Sequence, residues 1–113
     1  MHEMSLCEGV LQILEDEARR HDFKKVSKVR LEVGALAVVE PDALRFSFDV
    51  VMRGTVAEGA QLEIVNVDAE AWCFDCCDTV PIASRLDDCP RCNGSRLKPT
   101  RGDELRIKDL EVA

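Results

Sequence analysis

The sequence has no tyrosine, a single tryptophan and only two histidines among 113 residues. With so few phenols and imidazoles, general acid–base options are few. No Ser/His/Asp set and no pair of catalytic carboxylates stands out. No G-x-x-x-x-G-K-[ST] segment occurs either, so any nucleotide hydrolysis linked to this chain must come from a partner. Excess positive charge is also missing. Basic residues number 15 and acidic ones 22, divided as 8 against 13 up to Asp68 and 7 against 9 beyond it. Neither part offers the strongly basic surface that nucleic-acid binding usually needs. The apolar stretch Leu36 to Val39 is far too short to span a bilayer. Met1 to Asp16 mixes apolar and acidic residues, with neither a basic n-region nor a cleavable apolar stretch. The expectation is a cytoplasmic protein that engages neither membrane nor nucleic acid. Repeats and low-complexity tracts are absent.

Hydrophobic residues make up 46% of the chain, enough for a packed core. Met4, Cys7, Leu11, Leu14 and Ala18 recur in steps of three and four, which predicts a helix over about 5–20. Val29, Leu31 and Val33 alternate with Lys28, Arg30 and Glu32, a half-buried strand ending at Gly34. Pro41 and Asp42 suit the first turn of a second helix. Leu44, Phe48, Val51 and Met52 supply its apolar stripe, and Gly54 can stop it in a left-handed conformation. Leu62 to Val67 forms another strand. Leu105 and Ile107 then alternate with Arg106 and Lys108, and the phase slips at Asp109 before Leu110 and Val112, as a bulge would make it.

Between Asp68 and Pro99 the texture changes, with five of the six cysteines falling there. The expected fold is α+β: two helices packed on a small three-stranded sheet, with a cysteine-rich lobe inserted. The expected domains are residues 1–68 plus 101–113, and residues 69–100.

In the lobe, Cys73-Phe74-Asp75-Cys76 is followed after twelve residues by Cys89-Pro90-Arg91-Cys92-Asn93-Gly94. Two C-x-x-C pairs can place four sulfurs at the corners of a tetrahedron, with Pro90 and Gly94 favouring the tight turn. Zn²⁺ suits four thiolates because it imposes no d-electron geometry and is not redox active. Such a shell is closed, so the zinc is expected to be structural. It supplies folding free energy, on the order of 10–16 kcal/mol, to a lobe without a core of its own. The rival is a dithiol redox motif, but that needs one pair on a βαβ frame. Cys77 is expected to be a spare thiol beside the site, with replacement of Cys76 as ligand the alternative. Cys7, on the apolar helix face, is expected to be a small core residue.

Met1-His2-Glu3 places an amine, two backbone amides, an imidazole and a carboxylate within three residues. Met1 is expected to survive processing, because the trimming enzyme needs a small second residue and histidine is large. Amine, His2 amide and imidazole can form fused chelate rings around one ion, with Glu3 completing the shell. Such nitrogen-rich, near-planar sets favour Ni²⁺ or Cu²⁺ over Zn²⁺. By itself, a histidine beside a chain terminus is most often idle. His21 reads as a favourable charge near a helix C-terminus.

The start MHEMSLC, the stretch VRLEVGALAVVEPDALRFSFDVV, the following GTVAEGAQLEI and the pair CFDC…CPRC together resemble the HypA/HybF family of hydrogenase nickel-incorporation proteins. The resemblance covers nearly the entire chain. It implies a nickel metallochaperone, not an enzyme, that delivers Ni²⁺ as transient cargo during maturation of [NiFe]-hydrogenase. The implied partners are the GTPase HypB and the hydrogenase large subunit or its precursor complex. It implies nickel ligands from Met1, His2 and Glu3, and structural zinc on Cys73, Cys76, Cys89 and Cys92. The first domain then handles nickel and residues 69–100 bind zinc. Cys77 lies outside the family pattern. The alternatives are a zinc-ribbon adaptor without metal delivery, or a nucleic-acid module using Arg85, Arg91, Arg96, Lys98 and Arg101, cations that otherwise belong to a solvated surface balanced by Asp75, Asp78, Asp87 and Asp88.

Overall fold

The computed structural model describes residues 3–113. Helix α1 runs from Glu3 to His21 and buries Cys7, Val10, Leu14 and Ala18. The predicted helix is present, but its buried arc is rotated toward Val10. Met4 is 37% exposed and Leu11 only half-buried. Strand β1 (Val26–Gly34) follows. Helix α2 spans Pro41–Met52. Its N-cap is Glu40, whose carboxylate accepts the Asp42 N–H at 3.2 Å, and Pro41 takes the first turn without losing a hydrogen bond. Leu44, Ser47, Phe48 and Met52 are buried; Val51, expected in the stripe, is half-buried, and Ser47 takes the inward place. Gly54 follows with φ 74°, the left-handed stop the sequence suggests.

Strand β2 covers Gln61–Val67, and β6 covers Leu105–Val112 near the end of the chain. They flank β1 in a three-stranded sheet of order β2-β1-β6. Along β6, Leu105, Ile107 and Leu110 are half-buried while Lys108 and Asp109 are both exposed, so burial slips phase where the sequence pattern does.

The cysteine-rich lobe has a second sheet of its own. Strands β3 (Ala69–Cys73), β4 (Asp78–Ile82) and β5 (Leu97–Arg101) form it in the order β4-β3-β5. Both pairings are antiparallel, with Ala71 opposite Val80 and Pro99. The fold is therefore α+β with two small sheets rather than one.

Contacts divide the chain into two units. The first takes the residues up to Leu31, Val39–Ile64 and Ile107–Ala113. Its core is the buried face of α1, Leu44, Phe48 and Met52 of α2, and Val26, Val29 and Leu31 of β1. Lys28 and Arg30 of its sheet meet Glu63, Asp109 and Glu111 in an ion-pair cluster, with Arg30 Nη1 2.7 Å from Asp109.

The second unit takes Glu32–Val38 and Val65–Arg106. Gly34 and Gly102 touch within it. A Cβ on Gly34 would lie 1.9 Å from the Gly102 carbonyl oxygen, and Gly102 has φ 114° with Ala69 close by. The Gly34 N–H also donates to Glu104 O at 2.8 Å, and the Leu36 N–H to Gly102 O at 2.7 Å. Backbone held on both sides cannot give way, so Gly34→Ala is expected to cost ~3 kcal/mol. Thermal unfolding should shift down by roughly 10 °C. Gly9→Ala is the control: nothing lies within 4 Å of an added Cβ there. It should stabilise α1 by about 0.5–1 kcal/mol.

Candidate metal centre

Each cysteine pair sits on a tight turn in the second unit. The first leaves β3 at Cys73. The Cys76 N–H then points back to Cys73 Sγ at 3.4 Å, and the turn closes on Cys77 in the left-handed region, φ 53°. The second is built alike. The Arg91 N–H donates to Cys89 Sγ and the Gly94 N–H to Cys92 Sγ, both at 3.4 Å, with Asn93 left-handed at φ 60°. The Cys89 N–H bonds Gly94 O at 2.8 Å and the Asn93 N–H bonds Cys89 O at 2.9 Å, closing the loop. These N–H groups pre-orient the sulfurs and favour their ionised form.

The four sulfurs of Cys73, Cys76, Cys89 and Cys92 lie within 4.8 Å of one another. Two of the four cross-loop separations are 3.7 Å for Cys73–Cys92 and 3.9 Å for Cys76–Cys89. A tetrahedron with Zn–S bonds of about 2.3 Å has S···S edges of about 3.8 Å. The donor set and its spacing thus fit a four-coordinate zinc. Backbone N–H groups of Cys92 and Arg91 draw the Cys89 thiol down to about 7, while the Cys92 side chain and burial push Cys76 up to about 12. A cation that takes all four must displace these protons, so its hold weakens as pH falls.

Cys77 is exposed, and its thiol turns away from the cluster toward Phe74 O at 3.6 Å. It fills the place that Asn93 fills in the other loop, where a β-carbon is strained. In the metal-loaded protein Cys77 is expected to be the one fast-alkylating thiol, giving a single adduct by mass spectrometry. Cys77→Gly should abolish that adduct, keep the metal, and raise stability by ~1 kcal/mol. Cys7 lies in the helical core with its thiol on Leu44 O at 3.7 Å, and burial together with the Glu3 charge pushes it up to about 11. It is inert at neutral pH.

Met1 and His2 lie outside the described residues. Glu3 opens α1 as the acid of its first turn. His21 ends that helix beside Arg19 and Arg20, its Nε2 3.1 Å from Glu17.

The charge balance expected at the lobe is made by specific pairs that the sequence does not specify. Arg91 pairs with Asp78 and Arg96 with Asp75. The partners are far apart in sequence, and no local spacing rule connects them. Two of the five cations weighed for nucleic-acid binding are thereby engaged.

The family model described as hydrogenase/urease nickel incorporation, metallochaperone, hypA matches residues 1–112. The chain belongs to the HypA family. It is similar to the hydrogenase maturation factor HypA of Beijerinckia indica, 59% identical over 112 residues that cover 99% of each chain. The HypA of Paracoccus denitrificans is 57% identical over the same extent. Among solved structures, the Ni metallochaperone HypA from Helicobacter pylori aligns with a TM-score of 0.72 at 22% identity, covering 99% of this chain and 97% of that one. A second HypA solution structure gives 0.74 at 24%, covering 100% and 97%. At these identities the two structures speak for the HypA fold alone.

Proposed function

We propose that this HypA-family chain binds Ni²⁺ as cargo through Met1, His2 and Glu3 and hands it on during [NiFe]-hydrogenase maturation. HypB is the GTPase partner, and the hydrogenase large subunit or its precursor complex is the recipient. Zinc on Cys73, Cys76, Cys89 and Cys92 is structural. Residues 1–68 with 101–113 handle nickel, and 69–100 hold zinc. The protein acts in the cytoplasm as a carrier, not a catalyst. Among the described residues no helix is long and apolar enough to cross a membrane.

The observation that carries this reading is a family match that starts at residue 1, so it includes the Met1-His2-Glu3 segment. Helix physics supports it. Glu3 is the first residue of α1, and the first backbone N–H groups of a helix have no partner within it. The Glu3 amide is therefore free to turn toward an ion without breaking the helix. The two sites divide the labour. A closed four-sulfur cage retains its ion, while an open terminal chelate can release one.

Elemental analysis of untagged protein tests the assignment. One nickel and one zinc per chain are expected, with the nickel lost and the zinc kept in His2→Ala. Hydrogenase maturation should fail in cells carrying that variant. An adaptor that merely bridges two partners would keep maturation, and nickel undiminished in His2→Ala would overturn the site.

A further inference from the structure

The ion pairs at the cysteine loops cross in a regular way. Asp75 lies inside the first loop, between Cys73 and Cys76, and its partner Arg96 follows the second loop. Arg91 lies inside the second loop, between Cys89 and Cys92, and its partner Asp78 follows the first. Arg91 Nη1 donates to Asp78 Oδ2 at 2.7 Å. Arg96 donates through Nε to Asp75 Oδ1 at 3.1 Å and through Nη2 to the same oxygen. Asp78 is braced by the Thr79 N–H on its other oxygen at 2.8 Å. Room for Asp75 is made by a glycine. A Cβ on Gly94 would lie 2.6 Å from Asp75 Oδ2 and 3.2 Å from Cys92 Sγ.

We propose that Asp75–Arg96 and Asp78–Arg91 are two straps that hold the cysteine loops together and set how slowly zinc leaves. This rests on the four cysteines being zinc ligands. The sulfur contacts Cys73–Cys92 and Cys76–Cys89 also run from loop to loop. Zinc is released by shedding thiolates, which requires the loops to part, and each strap opposes that parting. The guanidinium groups also offset the net double negative charge of four thiolates on Zn²⁺. The straps are solvent-exposed, with Arg91 and Asp78 side chains 58% and 57% accessible. Exposed pairs add little to global stability. Their effect is therefore on loop opening, and it is sensitive to salt. Asp75, Asp78, Arg91 and Arg96 are positioning residues; none touches the metal.

The experiment uses the full zinc-loaded chain and follows zinc transfer to excess 4-(2-pyridylazo)resorcinol. Asp75→Asn, Asp78→Asn, Arg91→Gln and Arg96→Gln should each speed release about three- to tenfold at low salt. The difference should shrink in high salt. Breaking both ends of one strap should be no faster than breaking one, whereas breaking both straps should multiply. The visible spectrum of the cobalt-substituted variants should still report four sulfurs. If a single variant fails to hold zinc, the exchange Asp78→Arg with Arg91→Asp decides. Retention with near-normal release supports the strap, and failure overturns it. Release within twofold of the unaltered chain, or acceleration that persists in high salt, would overturn the straps alone. Unaltered protein lacking a four-sulfur cobalt spectrum would instead overturn the zinc assignment beneath them.

Discussion

Cys89→Ser is expected to empty the proposed zinc site and unfold the second sheet. Apart from the sulfurs, the packing at this site is slight. The buried cluster there is Cys73, Val80 and Cys89, with Cys76, Ile82 and Leu97 only partly buried against it. One fully buried valine contributes about 1.5–3 kcal/mol. A structural zinc on four thiolates contributes on the order of 10–16 kcal/mol. The metal outweighs the packing several-fold, and without it the sheet cannot offset the entropy of ordering its own backbone. A serine hydroxyl is a hard, neutral donor and a poor substitute for thiolate. The Cys89 sulfur also accepts the Arg91 N–H at 3.4 Å, a contact that goes with the sulfur. The chain's single tryptophan, Trp72 on β3, provides the readout. Elemental zinc should fall from one per chain to near zero. Trp72 emission should shift to the red, and the amides of Ala71 and Trp72 should lose exchange protection. A chelator should produce the same change in the unaltered protein, and added zinc should reverse it. Full zinc with unchanged Trp72 emission would show that Cys89 is not a ligand.

The cysteine cluster was legible because two loops of C-x-x-C at ribbon spacing admit few other outcomes. The elements around it were less so, for local reasons. Strands β4 and β5 contain Pro81 and Pro99, and a proline inside a short run normally argues against a strand. Both belong to edge strands, which are paired on one side only, and such strands admit proline. The inward side of β3 is Ala69, Ala71 and Cys73, too small to write a hydrophobic alternation. In the helices the period was plain but its phase was not. Leu11 and Val10 are equally apolar, and only packing chooses Val10. Ser47 goes inward ahead of Val51, a choice that composition cannot signal. Partners joined through space, such as Arg91 with Asp78, leave no periodic trace at all. The proposed nickel ligands were suggested by family likeness, because one histidine beside a terminus carries almost no weight as chemistry.

Residues added ahead of Met1 are expected to abolish tight nickel binding while leaving zinc untouched. The proposed chelate depends on an unblocked amine one peptide bond from the His2 nitrogen. A Gly-Ser remnant of a cleaved tag turns that amine into an amide, a far weaker donor, and opens the first chelate ring. Loss of one ring nitrogen should weaken nickel by two orders of magnitude or thereabouts, about the effect of removing a ligand's key support. Acidification should act in the same direction. The amine ionises near pH 7.7–8.0, and the bound amide must give up its proton to the solvent. An imidazole ordinarily takes up its proton near pH 6.5, so protons on all three nitrogens compete with one ion. Apparent affinity should fall on the order of a hundredfold between pH 7.5 and 6.5. Zinc content should not change over that interval in the intact protein. Isothermal titration of native and extended chains with Ni²⁺, each at both pH values, separates the contributions. The native chain should show the steep pH dependence, and the extended chain should bind weakly at both. Tight nickel binding by the extended chain would place the cargo elsewhere. A shallow pH profile in the native one would mean that the backbone amide keeps its proton.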